Sequence, residues 1–348
     1  MRAARQLAGM RVALELAKRG VRGANPLVGA VILDAEGNIL ATGFHRGAGT
    51  THAEADALSR LGKLSEQASR EATMVITLEP CNHTGRTGPC TQAIIDAGIG
   101  NVIFAVRDEG AQAGGGAERL RAAGVNVEQG LLESAALELN HRWFLARTQF
   151  RPFTTLHLAQ TLDGRIAAAD GTSQWITSPQ SLHYAHQVRS RVDAIIVGTG
   201  TVIADNPRLN ARDESGAPLA NQPLRIIMGN REIAEDVALK SDDHWEHIHS
   251  HDPHEVLRRL QASGIAHVLI EGGSSIITAF LAADLVDEIH LYQAPIFLGA
   301  GRPSIGDLGI NTLSAAQRFR LDPIDGESVQ ILGVDTLTHL EPLPATLP

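Results

Sequence analysis

The sequence has only two cysteines, Cys81 and Cys90, among 348 residues. Two thiols cannot form the set of disulfides that stabilises small secreted proteins, so we expect a reducing, cytoplasmic compartment. The sequence also lacks an apolar run long enough to span a membrane, and basic residues interrupt the N-terminal segment where a signal peptide would be apolar. These absences predict a protein with no membrane partner.

An excess of positive charge is also missing. Lys and Arg number 30 against 39 Asp and Glu, which gives a formal net charge of −9. Nucleic-acid-binding domains normally present a basic face, so this balance argues against a nucleic-acid partner. No Gly-x-Gly-x-x-Gly followed by an acidic residue occurs, which disfavours a Rossmann domain. At this length we expect two domains.

The residues that carry chemistry cluster between His52 and Cys90. One imidazole and two thiolates, from His52, Cys81 and Cys90, make three protein ligands for tetrahedral zinc and leave the fourth position open to water. Glu54 lies two residues after the histidine, where a carboxylate can carry the proton of that water. A His-x-Glu followed by Pro-Cys and a second Cys is typical of zinc nucleobase deaminases, in which the glutamate is the general acid/base and not a ligand.

Two other interpretations remain open for this segment. One is a nucleic-acid deaminase with an accessory domain, against which the acidic charge counts. The other is a noncatalytic protein stabilised by zinc, which would have no use for Glu54 and would fill the fourth position with a protein ligand. The loop between the cysteines, residues 82–89, is long and polar, and it suits a phosphorylated or strongly polar substrate.

Three motifs resemble the deaminase half of the bifunctional riboflavin-biosynthesis deaminase/reductases: NPLVGA at 25–30, THAE at 51–54 and LEPCNHTGRTGPC at 78–90. Five motifs of the second half, in the same order, resemble the reductase half: TLDGRIA at 161–167, SQWIT at 173–177, VGTGT at 197–201, DNP at 205–207 and IEGGSS at 270–275. The chain is thereby identified as a member of that family over nearly its whole length.

The resemblance implies a cytidine-deaminase-like three-layer α/β/α domain followed by a dihydrofolate-reductase-like α/β domain. The first would deaminate a phosphorylated diaminopyrimidinone with Zn²⁺, and the second would reduce its ribosyl group to ribityl with NADPH. It also implies a homo-oligomer. We place the deaminase domain at 1–148 and the reductase domain at 151–348, because Arg151-Pro152 follows a short irregular piece.

The motif positions also imply roles for individual residues. In the deaminase, substrate would be bound by Asn25, His45, His83, Arg86 and Asp108. In the reductase, substrate would be bound by Ser173, Arg189, Leu209, Arg212 and Glu271. NADPH would be bound by Ala159, Trp175, Thr201, Asp205, Gly272, Gly273 and Ser274. The last three also form a strand-to-helix turn whose free N–H groups suit a phosphate.

Two departures from the family pattern concern substrate binding. Gly110 replaces an asparagine that contacts substrate, and His157 replaces a lysine on the first reductase strand. If His157 has taken over the role of that lysine, reduction should weaken as the pH rises through the usual histidine pKa of about 6.5. The departures leave open a paralogue that processes the same pyrimidine for another heterocycle.

Periodicity of apolar residues predicts the elements around these motifs. In the first domain it predicts a helix at 3–19, a hairpin at 28–42 and alternating helices and strands that end in a helix at 131–147. In the second it predicts a mostly parallel sheet. The histidines between 244 and 254, interleaved with acidic residues, are interpreted as a solvated loop and not as a second metal site.

Overall fold

The computed structural model of the protein describes residues 2–47, 49–82, 88–108, 115–322 and 327–343. These residues form two units, one that ends at His141 and one that begins at Arg142. The division lies before the boundary predicted at 148–151. Each unit has a sheet of its own with helices packed on it, so the predicted α/β class is confirmed.

The first unit is a mixed sheet between two layers of helices. Its strands lie in the order β2-β1-β3-β4-β5, with β1 antiparallel to both β2 and β3, and β3, β4 and β5 parallel. The elements are α1 Arg2–Ala17, β1 Gly29–Leu33, β2 Ile39–Phe44, α2 Ala53–Arg60, α3 Glu66–Glu71, β3 Thr73–Leu78, α4 Cys90–Asp96, β4 Asn101–Val106, α5 Gly116–Ala122, β5 Asn126–Gln129 and α6 Glu133–Leu139.

Both faces of this sheet are apolar, which is why it needs helices on each side. Met74 and Ile76 of β3 belong to one core cluster together with Ala57 of α2 and Ile94 of α4. Helix α1 packs on the other face. A Cβ at Gly29 would lie 1.9 Å from the backbone oxygen of Ala13 in α1, so only glycine lets this helix approach β1 so closely.

The single helix predicted at 131–147 is wrong. The structure has two helices here, α6 and α7 His141–Thr148, separated at Asn140. The Asn140 side chain accepts a hydrogen bond from the Leu27 N–H at 2.8 Å and donates one to the Leu27 carbonyl at 2.9 Å. A buried side chain that satisfies a distant backbone in this way is a tertiary contact, which helical periodicity does not show.

The second unit is built on one large sheet. In the described part of the chain this sheet has nine strands in the order β10-β9-β8-β11-β6-β12-β16-β14, with β15 paired to β16. Its elements are β6 Phe153–Thr161, β7 Arg165–Ala167, α8 Pro179–Arg189, β8 Ala194–Gly198, α9 Thr199–Asp205, β9 Leu224–Met228, β10 Trp245–Ile248, α10 Pro253–Ala262, β11 His267–Ile270, α11 Ser274–Ala282, β12 Glu288–Ala294, β13 Arg302–Pro303, β14 Phe319–Leu321, β15 Val329–Leu332 and β16 Asp335–Pro342. Strands β7 and β13 form a separate two-stranded sheet.

The parallel sheet predicted for this unit is present from β10 to β12, and the antiparallel strands β14 to β16 extend it. The loop interpretation of the histidine-rich segment is wrong for residues 245–248, which form β10, and it is confirmed for 249–252, which connect β10 to α10. Strand β10 pairs with β9, the His247 Nε2–H donates to the Gly229 carbonyl at 2.7 Å, and the rings of His247 and His249 stack with centroids 3.9 Å apart. Throughout the described ranges, no helix is both long and apolar enough to span a membrane.

Candidate active sites

Three element ends bring the predicted zinc ligands of the first unit together. His52 is the N-cap residue of α2, Cys81 follows the end of β3, and Cys90 is the first residue of α4. The His52 side chain does not cap its own helix. The Cys90 N–H donates to the Cys81 sulfur at 3.4 Å, so the backbone of α4 also holds the other thiol in place.

The spacing of these side chains fits a zinc ion. His52 Nδ1 lies 3.6 Å from the Cys81 Sγ and 3.4 Å from the Cys90 Sγ. Tetrahedral zinc, with typical zinc–nitrogen and zinc–sulfur bonds, places a nitrogen and a sulfur ligand about 3.6 Å apart. The three ligand atoms also lie within 4.8 Å of one another. These residues therefore form a preformed three-ligand site.

Glu54 lies on the first turn of α2, next to the ligands, and is 4% exposed. Burial, with the negative charge of Cys81, raises the pKa of Glu54 to about 7. Hydrogen bonding from the Cys90 thiol, together with His52, lowers the pKa of Cys81 to about 4. A thiolate is thus available to a metal, and a carboxyl group that exchanges protons near neutral pH lies beside it.

Two of the predicted pyrimidine-binding residues contact each other beside the metal ligands. The Asn25 Nδ2 lies 3.0 Å from the His45 Nε2, and the His45 Nδ1 lies 3.1 Å from the Thr51 carbonyl. The carbonyl can only accept, so Nδ1 carries the proton and Nε2 accepts from Asn25. The His45 ring meets the His52 ring edge-on, with centroids 5.3 Å apart. This polar pair therefore borders the metal site.

The remaining predicted residues of this site are partly outside the described residues. Asp108 is buried just beyond the end of β4, and its N–H donates to Glu79 at 3.2 Å. His83, Arg86 and the departure at Gly110 lie outside the described residues. The structure therefore places Asn25, His45 and Asp108 and gives no position for the other three.

Glu79 is a site residue that the sequence reasoning missed. Its side chain is buried and accepts from the N–H groups of Asp108 and Ala117, at 3.2 and 2.8 Å. Arg107 pairs with it at 3.8 Å. Glu79 thereby ties the segment that carries Cys81 to the residues after β4 and to the first turn of α5. Its position two residues before Cys81, within the motif LEPC, was the feature of the sequence that could have identified it.

In the second unit, a cavity of about 490 Å³ collects most of the predicted reductase residues. Two sets of residues line it, one that the motif positions assigned to the cofactor and one that they assigned to the substrate. The predicted cofactor residues that line it are Ala159, Trp175, Thr201 and Asp205, and the predicted substrate residues are Ser173, Arg189, Leu209, Arg212 and Glu271. One cavity therefore brings together the predicted cofactor and substrate residues.

Gly272, Gly273 and Ser274 are not among the residues that line this cavity. They follow Glu271 directly and form the turn into α11, with Gly273 as its N-cap residue. A Cβ at Gly273 would lie 3.2 Å from the Thr201 Oγ1, so the turn packs against a cavity residue of α9. The Ser173 hydroxyl donates to Asp205 at 3.2 Å and joins the loop after β7 to the end of α9 at the cavity.

Cationic groups gather on one wall of the cavity. Arg189 pairs with Glu271 through two hydrogen bonds, while its Nη1 donates to the Asn210 carbonyl at 3.2 Å. The Arg212 Nη2 lies 3.2 Å from the His186 Nε2. Arg208 also lines the cavity. The three arginines outnumber the two carboxylates that line the cavity, Glu271 and Asp205. This excess of positive charge suits a phosphorylated ligand.

His157 lines the cavity, yet its surroundings do not support the pH dependence expected from the sequence. The half-buried ring packs against Tyr292, with centroids 4.4 Å apart, and desolvation lowers the pKa of His157 to about 4. The imidazole is therefore neutral across the range in which a surface histidine titrates. A pKa of about 4 counts against a titration near the ordinary histidine value, and the expected pH dependence of the reduction stays a prediction.

The cavity residues that were not predicted include Tyr292, His186 and Arg208. Tyr292 comes from β12, and no motif marks that strand. Arg208 directly follows the motif DNP, so extending that motif by one residue would have found it. His186 lies on α8 one turn before Arg189, so the two side chains project from the same face of the helix. This spacing could have been read from the sequence.

Comparison with known proteins matches a different family model to each unit. Residues 4–106 match the cytidine and deoxycytidylate deaminase zinc-binding region, and residues 152–326 match the RibD C-terminal domain. The chain is 42% identical over 324 residues to the riboflavin biosynthesis protein RibD of Mycobacterium tuberculosis, covering 92% of each. It is 35% identical over 370 residues to RibD of Escherichia coli, covering 94% of this chain and 97% of that one.

Solved structures resemble the whole chain. One is RibD of Acinetobacter baumannii, with a TM-score of 0.73 and 33% identity, covering 98% of this chain and 99% of that one. Another is the diaminohydroxyphosphoribosylaminopyrimidine deaminase/5-amino-6-(5-phosphoribosylamino)uracil reductase of Thermotoga maritima, with a TM-score of 0.68 and 31% identity, covering 99% of this chain and 100% of that one.

Proposed function

This chain belongs to the RibD family of riboflavin-biosynthesis enzymes, which join a zinc-binding deaminase domain to a reductase domain, and from that premise we propose a reaction for each unit. The first unit, within 1–148, hydrolytically removes an amino group from a diamino-(phosphoribosylamino)pyrimidinone. The second, within 151–348, reduces the ribosyl group of the product to ribityl with NADPH.

Glu54 carries the proton transfers of the deamination. A zinc ion held by His52, Cys81 and Cys90 would act as a Lewis acid that makes water a stronger nucleophile. The Glu54 carboxylate takes a proton from the attacking water and passes it to the departing amine, for which a pKa of about 7 is well matched. The Asn25–His45 pair and Asp108 orient the pyrimidine ring beside it.

The arginines that line the cavity support the proposal that the reductase substrate carries a phosphate. Arg189 and Arg212 bind and orient the phosphorylated sugar, with Glu271 holding Arg189 in place. Ala159, Trp175, Thr201, Asp205 and the Gly272–Ser274 turn hold the nicotinamide cofactor. The indole of Trp175 is 68% exposed and is free to cover a flat ring. Hydride transfer itself belongs to the cofactor, and the residues align it with the sugar carbon.

The observation that carries this proposal is the fit of the His52, Cys81 and Cys90 spacing to tetrahedral zinc, with the buried Glu54 carboxyl group beside it. The test is to incubate the purified protein with the diaminopyrimidinone phosphate, with and without NADPH, and to follow ammonia and product mass. Ammonia release without NADPH, followed by the gain of two hydrogens only when NADPH is added, supports both reactions. No ammonia with this substrate contradicts the first assignment.

A further inference from the structure

The second unit contains another group of metal-binding side chains, Glu288, His290 and His339. One ligand atom from each lies within 4.8 Å of the other two. None of the three lines the cavity described above. No motif of the sequence marks them, because they come from two strands that lie far apart in the chain.

Sheet geometry places the three side chains on one face. Glu288 and His290 alternate along β12 and therefore point the same way. His339 of β16 is the direct antiparallel partner of His290. The rings of His290 and His339 meet edge-on, with centroids 4.7 Å apart. The polar side chains of the adjacent strands β12 and β16 therefore point toward one another.

Most polar atoms of these three side chains are buried without a hydrogen-bond partner. Glu288, His290 and His339 are 2%, 5% and 0% exposed. Both ring nitrogens of His290, both of His339 and the Glu288 Oε1 have no hydrogen-bond partner. Leaving one such group unsatisfied costs about 1–3 kcal/mol, so a cluster of five needs an occupant.

The separation of the ligand atoms identifies the kind of occupant. His290 Nε2 and Glu288 Oε2 lie 3.3 Å apart, which is within ion-pair distance. A nitrogen and an oxygen ligand on one tetrahedral zinc ion lie about 3.3 Å apart. Neutral imidazoles with a carboxylate form a ligand set that suits zinc and its first-row neighbours.

A supporting contact lies behind the carboxylate. The Thr155 hydroxyl donates to the Glu288 Oε2 at 2.9 Å and lies 2.8 Å from the His267 Nε2. Since the single hydroxyl proton goes to the carboxylate, the His267 Nε2–H donates to the Thr155 oxygen. Such an outer layer of hydrogen bonds orients the ligands of metal sites.

We propose that Glu288, His290 and His339 bind a divalent transition metal of the zinc class, separate from the metal of the deaminase site. The ion takes one ligand atom from each of the three side chains and cross-links β12 to β16. The site is enclosed, so the ion enters while the unit folds. It stabilises the sheet and takes no part in either reaction.

Removing the deaminase ligands isolates this site. The full-length Cys81→Ser/Cys90→Ser protein is expressed in medium supplemented with Zn²⁺ or Co²⁺, purified without chelator, and analysed for metal content and visible absorption. We expect about one metal per chain and a cobalt spectrum without thiolate charge-transfer bands. Adding His339→Gln, or separately Glu288→Gln, should reduce the metal to background. The exposed His254→Gln serves as the matched control and should leave the metal in place.

The same proteins supply the contrary outcomes. A Cys81→Ser/Cys90→Ser protein that folds, as judged by circular dichroism, yet contains no metal after either supplement would overturn the proposal and assign the cluster to buried water. Metal that persists in both His339→Gln and Glu288→Gln would also overturn it, because the ion would then lie elsewhere. Neither result bears on the deaminase and reductase assignments.

Discussion

Arg189 and Glu271 form a two-point ion pair in the wall of the second unit's cavity. The Arg189 Nε and Nη2 donate to the two Glu271 carboxylate oxygens at 2.7 and 2.6 Å. Burial would raise the pKa of Glu271, but Arg189 more than offsets this and holds the pKa below its usual value. The pair stays charged and links α8 to the end of β11, which makes this wall rigid.

Breaking that pair should impair reduction alone. We expect Glu271→Gln to lower the rate of NADPH oxidation at least about tenfold, because Arg189 loses its orienting carboxylate. Ammonia release by the same protein should be unchanged, and the exposed Glu232→Gln should change neither rate. NADPH oxidation at the wild-type rate would show that the pair does not position substrate.

Removing one thiol should remove the deaminase metal. Cys81→Ser should lose about one equivalent of zinc per chain and release no ammonia, because two remaining protein ligands hold zinc weakly. In cobalt-substituted protein the thiolate charge-transfer band should weaken or disappear in parallel. Wild-type metal content together with an unchanged band would rule out Cys81 as a ligand.

Asn140 should be a main contributor to the stability of the first unit. Its side chain satisfies both backbone groups of Leu27 while being 2% exposed. We expect Asn140→Ala to lower the free energy of unfolding by about 2–4 kcal/mol, because two buried backbone groups lose their partners. Denaturant unfolding measures the change. The exposed Asn126→Ala should change it by less than about 0.5 kcal/mol, and an equally small effect in Asn140→Ala would contradict the account.

His157 should make the protein less stable in acid. Its pKa in the folded protein is about 4, below the usual 6.5. The unfolded chain therefore binds this proton first as the pH falls, and stability is lost between those two values, by up to about 3 kcal/mol. Above that window His157 contributes no pH dependence.

Comparing variants isolates the His157 contribution from other acid-sensitive groups. His157→Gln should unfold with a shallower loss of stability between neutral pH and pH 4 than the wild type, whereas the exposed His254→Gln should follow the wild type. Identical pH profiles for His157→Gln and wild type would show that the pKa of His157 is not lowered in the folded protein.

Local patterns were sufficient to predict most of the elements and the metal site. His52, Glu54, Cys81 and Cys90 lie at element ends that apolar periodicity predicts, and their chemistry is restrictive enough to be recognised without a structure. The break at Asn140 could not be predicted, because its cause is a contact with Leu27, more than a hundred residues away. The same applies to Glu79, whose partners lie after β4 and in the first turn of α5, at least 29 residues away in the chain.

The reductase cavity was predictable only in part. Some residues of its wall belong to motifs, whereas others reach the wall only because their strands lie side by side in the sheet. Tyr292 reaches the cavity because β12 lies beside β6 in the sheet. The burial of His157 follows from that same neighbour, and the sequence alone gave no reason to expect its pKa of about 4.

The most direct test of the two-site account is the reaction of Glu54→Gln with both pyrimidine substrates. Given the diaminopyrimidinone phosphate, this variant should keep its zinc but release ammonia at least about a hundredfold more slowly than wild type, because an amide cannot carry the proton. Given the already deaminated substrate, it should oxidise NADPH at the wild-type rate. The exposed Glu36→Gln should behave as wild type with both. Ammonia release within about tenfold of wild type, or failure of the folded variant to oxidise NADPH with the deaminated substrate, would contradict the account.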